Sequence, residues 1–187
     1  GLTVDFFTKG KADYIQSLIK EHQVKTVLDV GCGVGDIHGF FQGNGCQVTG
    51  VDVSGESIEI AQEKNTRNIY LTYDGKKLPF KDDSFDMVYT ICVMHHVPPA
   101  QWQDFVHEMV RVTKNGGVVA VFEHNPFNPL TRIAVNRCPF DADAVLLSSG
   151  KVEKLFKNTK AIQPKSEFIF FTPFKSILGK VIDKIFY

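Results

Sequence analysis

The segment from Thr26 to Asp52 constrains the fold of this 187-residue chain more than any other part of it. It opens with a short apolar and partly β-branched run, Thr26 to Val30, which predicts a buried strand. Three glycines follow at alternate positions: Gly31, Gly33 and Gly35. Because glycine has no side chain and adopts left-handed conformations easily, this spacing predicts a sharp strand-to-helix turn whose bare backbone a ligand can approach.

Two acids accompany these glycines. Asp29 interrupts the first strand near its C-terminal end, where a purely structural strand would prefer another apolar residue. A second apolar run, Gln47 to Val51, ends in Asp52, 21 residues after Gly31. That spacing suits a carboxylate at the tip of the neighbouring strand, where it accepts hydrogen bonds from a ribose diol. The segment therefore predicts the nucleoside-binding half of a doubly wound sheet.

The spacing of the glycines discriminates between nucleoside ligands. A dinucleotide fingerprint, G-x-G-x-x-G, requires glycine where the sequence has Asp36, which argues against a dehydrogenase. The arrangement Asp-x-Gly-x-Gly-x-Gly instead resembles the first motif of the class I S-adenosylmethionine-dependent methyltransferases, whose acid and glycines hold the methionine end of the cofactor. A glycine turn without a ligand is less favoured, because Asp29 and Asp52 occur together.

Apolar runs along the rest of the chain predict an α/β fold with a doubly wound, mostly parallel sheet. Four further strands are expected, at Ile69–Tyr73, Phe85–Ile91, Val118–Phe122 and Glu167–Phe171. Helices are expected at residues 11–22, after the glycine turn with Ile37, Phe40 and Phe41 buried, from Ser54 to about Lys64, after Pro99, at Gly150–Asn158 and at Phe174–Phe186. We expect one domain, 1–187, in which residues 124–150 form a substrate-covering insertion.

Further motifs extend the resemblance over most of the chain. Asp74-Gly75 followed by Leu78-Pro79-Phe80 is similar to the family's adenine-side loop. Residues 82–88 and 93–97 resemble the fourth strand and its exit loop in the branch that includes ubiquinone and menaquinone biosynthesis enzymes. The resemblance implies a Rossmann-like sheet of seven strands, of which six are readable here, so a seventh is expected to be missing at the C-terminus.

The resemblance also implies which residues bind S-adenosylmethionine. They are Asp29, Gly31 and Gly33 at the methionine moiety, Cys32 in the same turn, Gly35 supporting the helix entry, Asp52 at the ribose, Val53, Asp74 and Gly75 at the adenine, and the main chain of Thr90 and Ile91 near the amino end.

Methyl transfer from a sulfonium is an in-line displacement, to which a protein contributes mainly by positioning the reactants and excluding water. A general base is needed only when the acceptor arrives protonated. The candidates follow the fourth and fifth strands: His95, His96 and His124. Packing or capping is an equally open role for these histidines. Candidate substrate-binding residues are Glu123, Asn125, Arg132 and Arg137, for which ordinary surface roles also stay open.

No metal site is expected, because adjacent histidines should point apart and the sequence has no H-x-x-x-H motif or cysteine at ligand spacing. With 21 basic and 21 acidic residues, the formal net charge is zero, so nucleic acid is not an expected partner. The four cysteines show no disulfide framework, which favours a reducing cytoplasm. Stable membrane insertion is not expected, since no apolar run approaches about 18 residues.

The sequence thus predicts a cytoplasmic enzyme that transfers a methyl group from S-adenosylmethionine to a small-molecule acceptor. A second interpretation stays open, in which the chain is a non-catalytic nucleoside-binding module that acts as a partner or regulatory subunit. The acceptor atom and the oligomeric state are also left open.

Overall fold

Five parallel strands form the sheet at the centre of the described chain, which in this computed structural model comprises residues 4–41, 43, 45–160 and 164–169. The strands are β1 (Thr26–Val30), β2 (Gln47–Asp52), β3 (Ile69–Thr72), β4 (Phe85–Ile91) and β5 (Thr113–Phe122). Their spatial order is β3-β2-β1-β4-β5, and all neighbouring pairs are parallel. The chain adds β2 and β3 on one side of β1 and then β4 and β5 on the other, so the strand order reverses between β1 and β4. In doubly wound folds, the carboxyl ends of the strands at such a point form the ligand crevice.

Helices cover both faces of the sheet. They are α1 (Val4–Glu21), α2 (Gly55–Lys64), α3 (Trp102–Val112), α4 (Pro129–Arg137) and α5 (Ser149–Lys157). Alternate strand residues face opposite sides, so Leu28 and Val88 pack with α3 and α5, whereas Val27 and Met87 pack with α1. Burial of these strands on both faces explains why they appear in the sequence as nearly continuous apolar runs.

The predicted strands β1, β2 and β4 are confirmed, and so is α2, whose N-cap Ser54 accepts a hydrogen bond from the Ser57 amide. The segment after the glycine turn is a 3-10 helix, Asp36–Phe41, in which Ile37 and Phe41 are buried but Phe40 is exposed. The expectation that all three side chains would be buried is therefore wrong for Phe40.

The fifth and sixth predicted strands need correction. β5 begins at Thr113 rather than Val118, because Thr113 already pairs with Phe85 before the register shifts to Met87 and Val118. Five strands are found in the described residues, not six, and residues 167–169 of the predicted sixth strand are not in a strand. The rest of that strand and the expected helix Phe174–Phe186 lie outside the described residues.

The segment between β5 and α5 contains α4, which was not predicted. Asn128 caps it, because its Oδ1 accepts hydrogen bonds from the amides of Leu130 and Thr131, and Pro129 occupies its first turn. Within the described residues, no helix combines the length and the apolar composition that crossing a bilayer requires.

Candidate functional site

The glycine turn joins the end of β1 to the 3-10 helix through three residues with positive φ: Gly31 (79°), Gly33 (51°) and Gly35 (69°). The amides of Gly31 and Cys32 both donate to the carbonyl of Val51, which ties the turn to β2. A Cβ at Gly31 would lie 2.4 Å from Val93 Cγ2, so this position is closed by packing. At Gly33 a Cβ would meet nothing within 4 Å, so the turn is open there.

Asp52 lies next to this open face at the end of β2. Its Oδ2 accepts a hydrogen bond from the Gly33 amide at 2.8 Å, and its Oδ1 accepts one from the Ser54 amide at 2.9 Å. Each carboxylate oxygen has a second lone pair, so the half-buried carboxylate keeps acceptor capacity for the hydroxyls of a ligand. Val53 is 62% exposed and offers an apolar surface beside it. This combination fits a nucleoside.

Asp29 lies under the turn rather than on its open face. It is 2% exposed, and His38 Nε2 donates to its Oδ2 at 3.0 Å. The hydroxyl of Tyr70 donates to His38 Nδ1 at 2.7 Å, which completes a buried network. Burial and the neighbouring Asp29 carboxylate raise the pKa of Tyr89 on the adjacent strand well above its usual value. Direct contact of Asp29 with a cofactor stays a prediction.

Cys32 and Gly35 are also packed beneath the turn. Burial, with the nearby Asp29 and Asp52 carboxylates, strongly raises the pKa of the Cys32 thiol, which packs against the cluster that contains Tyr70. A Cβ at Gly35 would lie 2.9 Å from the Tyr70 hydroxyl, which explains why glycine stands there. The roles of His38 and Tyr70 were not identified from the sequence, because neither residue belongs to a motif and only tertiary structure brings them close to Asp29.

The remaining predicted cofactor residues follow β3 and β4. Asp74 is exposed, and the amides of Lys76 and Lys77 donate to its Oδ1, which lowers the pKa of this carboxyl. Thr90 is fully buried and its hydroxyl donates to the Val30 carbonyl, so its contact with a ligand stays a prediction. Ile91 is half-buried at the end of β4.

Beyond β4, a short 3-10 helix, Met94–His96, carries the adjacent histidines. Glu123 at the end of β5 holds this helix with both of its carboxylate oxygens. Its Oε1 accepts from the Met94 amide at 2.8 Å, and its Oε2 accepts from His95 Nδ1 at 2.6 Å. Although burial opposes it, this hydrogen bond raises the pKa of the buried His95. Glu123, predicted to bind substrate, therefore positions His95.

Residues 139–145 cover the histidine pair. The Val145 amide donates to the His95 carbonyl at 2.8 Å, which fixes the segment over the 3-10 helix. Asp141 Oδ1 lies 3.4 Å from His95 Nε2 and 3.5 Å from His96 Nε2, and Asp143 Oδ1 lies 3.4 Å from His96 Nδ1. The expectation that the adjacent histidines point apart is wrong, because both Nε2 atoms face the same carboxylate oxygen.

His124 completes a cluster of three imidazoles, with its ring centroid 5.2 Å from that of His95. Burial lowers the pKa of His124, and the nearby Lys11 lowers it further. Lys11 reaches across from α1 to donate a hydrogen bond to the Cys92 thiol at 3.4 Å. Cys92 has a φ of 56°, an unusual conformation for a residue other than glycine. Sequence reasoning missed Lys11, since nothing in α1 marks it.

The other candidate substrate residues are not part of this cluster. The Asn125 side chain accepts from the Phe127 amide at 2.9 Å and so shapes its own turn. Arg132 and Arg137 are exposed on α4. Phe127 and Phe140, at the two ends of this region, are 80% and 86% exposed. This segment presents apolar and cationic groups to solvent near the histidine cluster.

Comparisons with known proteins agree with this geometry. A family model described as a methyltransferase domain matches residues 28–121, half of the chain. A malonyl-[acyl-carrier protein] O-methyltransferase from Enterobacter lignolyticus is 31% identical over 116 residues, which are 60% of this chain and 44% of that protein. A 2-methyl-6-phytyl-1,4-hydroquinone methyltransferase from Synechocystis is 30% identical over 129 residues, 64% of this chain and 40% of that protein. The chain thus spans less than half the length of these curated relatives.

Solved structures show the same fold. The YcgJ protein from Bacillus subtilis superposes with a TM-score of 0.61 at 26% identity, covering 78% of this chain and 67% of that one. The PH0226 protein from Pyrococcus horikoshii has a TM-score of 0.64 at 23% identity and covers 83% of this chain and 82% of that one. The chain therefore belongs to the methyltransferase domain family, the class I S-adenosylmethionine-dependent methyltransferases that its first motif resembles.

Proposed function

We propose that this chain transfers a methyl group from S-adenosylmethionine to a small-molecule acceptor. The observation that supports it best is the juxtaposition of the open Gly33 position with the Asp52 carboxylate at the carboxyl edge of the sheet. When bound, the cofactor supplies a methyl group already activated by a sulfonium, so the protein needs to add position and the exclusion of water.

In this proposal the cofactor lies along the carboxyl ends of β1, β2 and β4. Asp52 holds the ribose hydroxyls, and the exposed Val53 side chain packs against the adenine. The backbone at Gly33 and Ile91 provides the close contacts at the other end. Asp29, Cys32 and Gly35 act indirectly, because the buried contacts described above fix the shape of the turn.

We place the acceptor beneath the segment 124–150, next to the histidine cluster. Phe127 and Phe140 are exposed aromatic side chains that could enclose an apolar acceptor, and Arg132 and Arg137 could pair with an acidic group on it. His95, His96 and His124 lie at the edge of the sheet where the acceptor would enter, and a base among them would serve an acceptor that arrives protonated. Glu123 supports this role by orienting His95.

The names of two relatives suggest where the search for the acceptor should begin. One relative is an O-methyltransferase of malonyl-[acyl-carrier protein], and another is a hydroquinone methyltransferase. A malonyl thioester and a substituted hydroquinone are therefore the first acceptors to test with this chain. The proposal includes a cytoplasmic location, supported by four free cysteines.

Acceptor-dependent formation of S-adenosylhomocysteine tests the proposed activity. We expect mass spectrometry to detect this product and the methylated acceptor together, at a ratio of one to one. The Asp52→Ala variant should lose this activity, whereas Asp36→Ala, which removes an exposed carboxylate paired with Lys64, should keep it. Binding of S-adenosylmethionine without turnover of any acceptor in a broad panel would contradict catalysis and favour a non-catalytic module.

A further inference from the structure

The contact between the 3-10 helix Met94–His96 and Asp141 has the composition of a metal site. His95 Nε2, His96 Nε2 and a carboxylate oxygen of Asp141 lie within 4.8 Å of one another. Two imidazoles and one carboxylate are a common ligand set for zinc and related divalent ions. In catalytic sites of this kind, three protein ligands leave one position open for water or a substrate oxygen.

The spacing of these atoms fits coordination better than hydrogen bonding. Asp141 Oδ1 lies 3.4 Å from His95 Nε2 and 3.5 Å from His96 Nε2. Charge-assisted hydrogen bonds between nitrogen and oxygen are shorter, about 2.7–2.9 Å. In a tetrahedral zinc site with bonds of about 2.0–2.1 Å, neighbouring ligand atoms are about 3.3–3.5 Å apart. Both distances from Asp141 Oδ1 to the histidine nitrogens match this separation between neighbouring ligand atoms.

His95 presents an unpartnered nitrogen to this point. The residue is 1% exposed, and its Nε2 is buried without a hydrogen-bond partner. Since Nδ1 donates to Glu123, a neutral His95 has its free lone pair on Nε2, directed at a second carboxylate. A lone pair facing an anion is unfavourable unless a cation or a proton lies between them.

The outer contact of His95 follows the pattern of a metal ligand. In metal sites, the second ring nitrogen of a histidine usually donates to a carboxylate, which fixes the tautomer and the ring orientation. His95 Nδ1 meets Glu123 at 2.6 Å in this way, whereas His96 Nδ1 lies 3.4 Å from the exposed Asp143 carboxylate, a longer contact. Three carboxylates therefore surround two imidazoles, and this local excess of negative charge favours a cation.

We propose that His95, His96 and Asp141 bind a divalent transition-metal ion, with Zn²⁺ as the representative ion. Glu123 orients His95, and the Val145–His95 hydrogen bond holds the segment that supplies Asp141. The open coordination position is available to water or to an oxygen of the acceptor. With His95 and His96 bound to the metal, His124 is the histidine left to act as a base. These two roles rest on the proposed function, whereas metal binding itself does not.

Metal titration of the metal-free chain tests the proposal without any activity assay. Co²⁺, used as a spectroscopic probe, should bind with one equivalent per chain, and Zn²⁺ should displace it. His96→Gln and Asp141→Asn, at an exposed and a half-buried position, should weaken binding by at least about 100-fold, since each removes a direct ligand. Glu123→Gln should weaken it by about 10- to 100-fold, as expected for an outer contact.

Matched control variants distinguish loss of this metal site from general effects of substitution on the protein. His107→Gln and Asp104→Asn change exposed residues of α3 and should leave the affinity unchanged, with the circular dichroism spectra of all variants alike. Absence of stoichiometric binding would overturn the proposal and leave a proton as the occupant between His95 and Asp141. Unaltered binding by His96→Gln and Asp141→Asn, or cobalt spectra dominated by thiolate ligation, would also overturn it.

Discussion

Asp86 shows how a single acid can serve the fold rather than the site. It lies at the start of β4, at the opposite edge of the sheet from the ligand crevice. Its Oδ2 accepts hydrogen bonds from the amides of Lys25 and Thr26 and from the Thr26 hydroxyl, and its Oδ1 pairs with Lys114 at 2.8 Å. One carboxylate thus joins the beginnings of β1, β4 and β5.

Asp86 should make stability depend on pH. Burial alone would raise the pKa of this carboxyl, but Lys114 and the surrounding donors outweigh burial and hold it far below its usual range. A group whose pKa is lower in the folded state stabilises above its unfolded pKa of about 3.9 and loses this contribution as pH falls below it. We expect Asp86→Asn to reduce the free energy of unfolding by about 1–3 kcal/mol at pH 7.

Urea unfolding at a series of pH values checks this prediction. The difference between wild type and Asp86→Asn should shrink as pH falls below about 4, because the wild-type carboxylate then begins to lose its advantage. Asp13→Asn, which alters an exposed acid paired with Lys9, should change stability by less than about 0.5 kcal/mol. A difference for Asp86→Asn that stays constant down to pH 3 would contradict the account.

The partners of individual residues were the least predictable part of the site. Asp29 and Asp52 were identified as acids at the ends of strands, and both lie there. Their partners could not be predicted. Asp29 contacts His38, 9 positions away, and Glu123 contacts His95, 28 positions away, and no sequence pattern indicates either contact because both depend on tertiary structure. Similarly, the Nε2 atoms of His95 and His96 both face Asp141, which belongs to the segment 139–145 that covers them.

At the scale of elements, local signals predicted β1, β2 and β4 well because these three strands are buried and apolar. They failed where two signals competed. The prolines in residues 126–139 argue against regular structure, yet Pro129 in the first turn after the cap Asn128 favours a helix start, and α4 forms there. Adjacent glycines such as Gly116 and Gly117 are typical of a turn, whereas here they lie within β5, where its pairing with β4 shifts register.

The glycine turn offers a test that separates its role in folding from its role in binding. Gly33 and Gly116 both have positive φ, and a Cβ at either would meet nothing within 4 Å. Alanine at each should therefore cost about 1–2 kcal/mol of folding stability through the left-handed backbone. Only Gly33→Ala should weaken cofactor binding, by about tenfold or more, if the ligand approaches that bare backbone.

Thermal unfolding and calorimetric titration of the two variants provide the comparison. Similar losses of stability with a selective loss of S-adenosylmethionine affinity in Gly33→Ala would support the proposed approach of the ligand. Equal affinities in the two variants would mean that the open face of the turn is not the contact surface. Gly31→Ala is unsuitable for this purpose, because its Cβ would collide with Val93.

For the whole molecule, the parallel sheet explains why distant parts of the chain meet in one region. The glycine turn, Asp52, the histidine pair and Glu123 all follow carboxyl ends of strands, which the parallel arrangement places along one edge. The α/β class and this edge could be predicted because the order of strands and helices fixes them. The position of the segment 139–145 could not be predicted, since it depends on contacts such as the hydrogen bond from the Val145 amide to the His95 carbonyl.

The central claim is that this edge binds S-adenosylmethionine through Asp52, and calorimetric titration tests it most directly. S-adenosylmethionine and S-adenosylhomocysteine should bind with micromolar affinity, and NAD should not. Asp52→Ala should abolish measurable binding of both, while Asp36→Ala, with the same charge change at an exposed site, should bind like wild type. Wild-type chain that binds neither ligand, or that binds NAD alone, would contradict the claim.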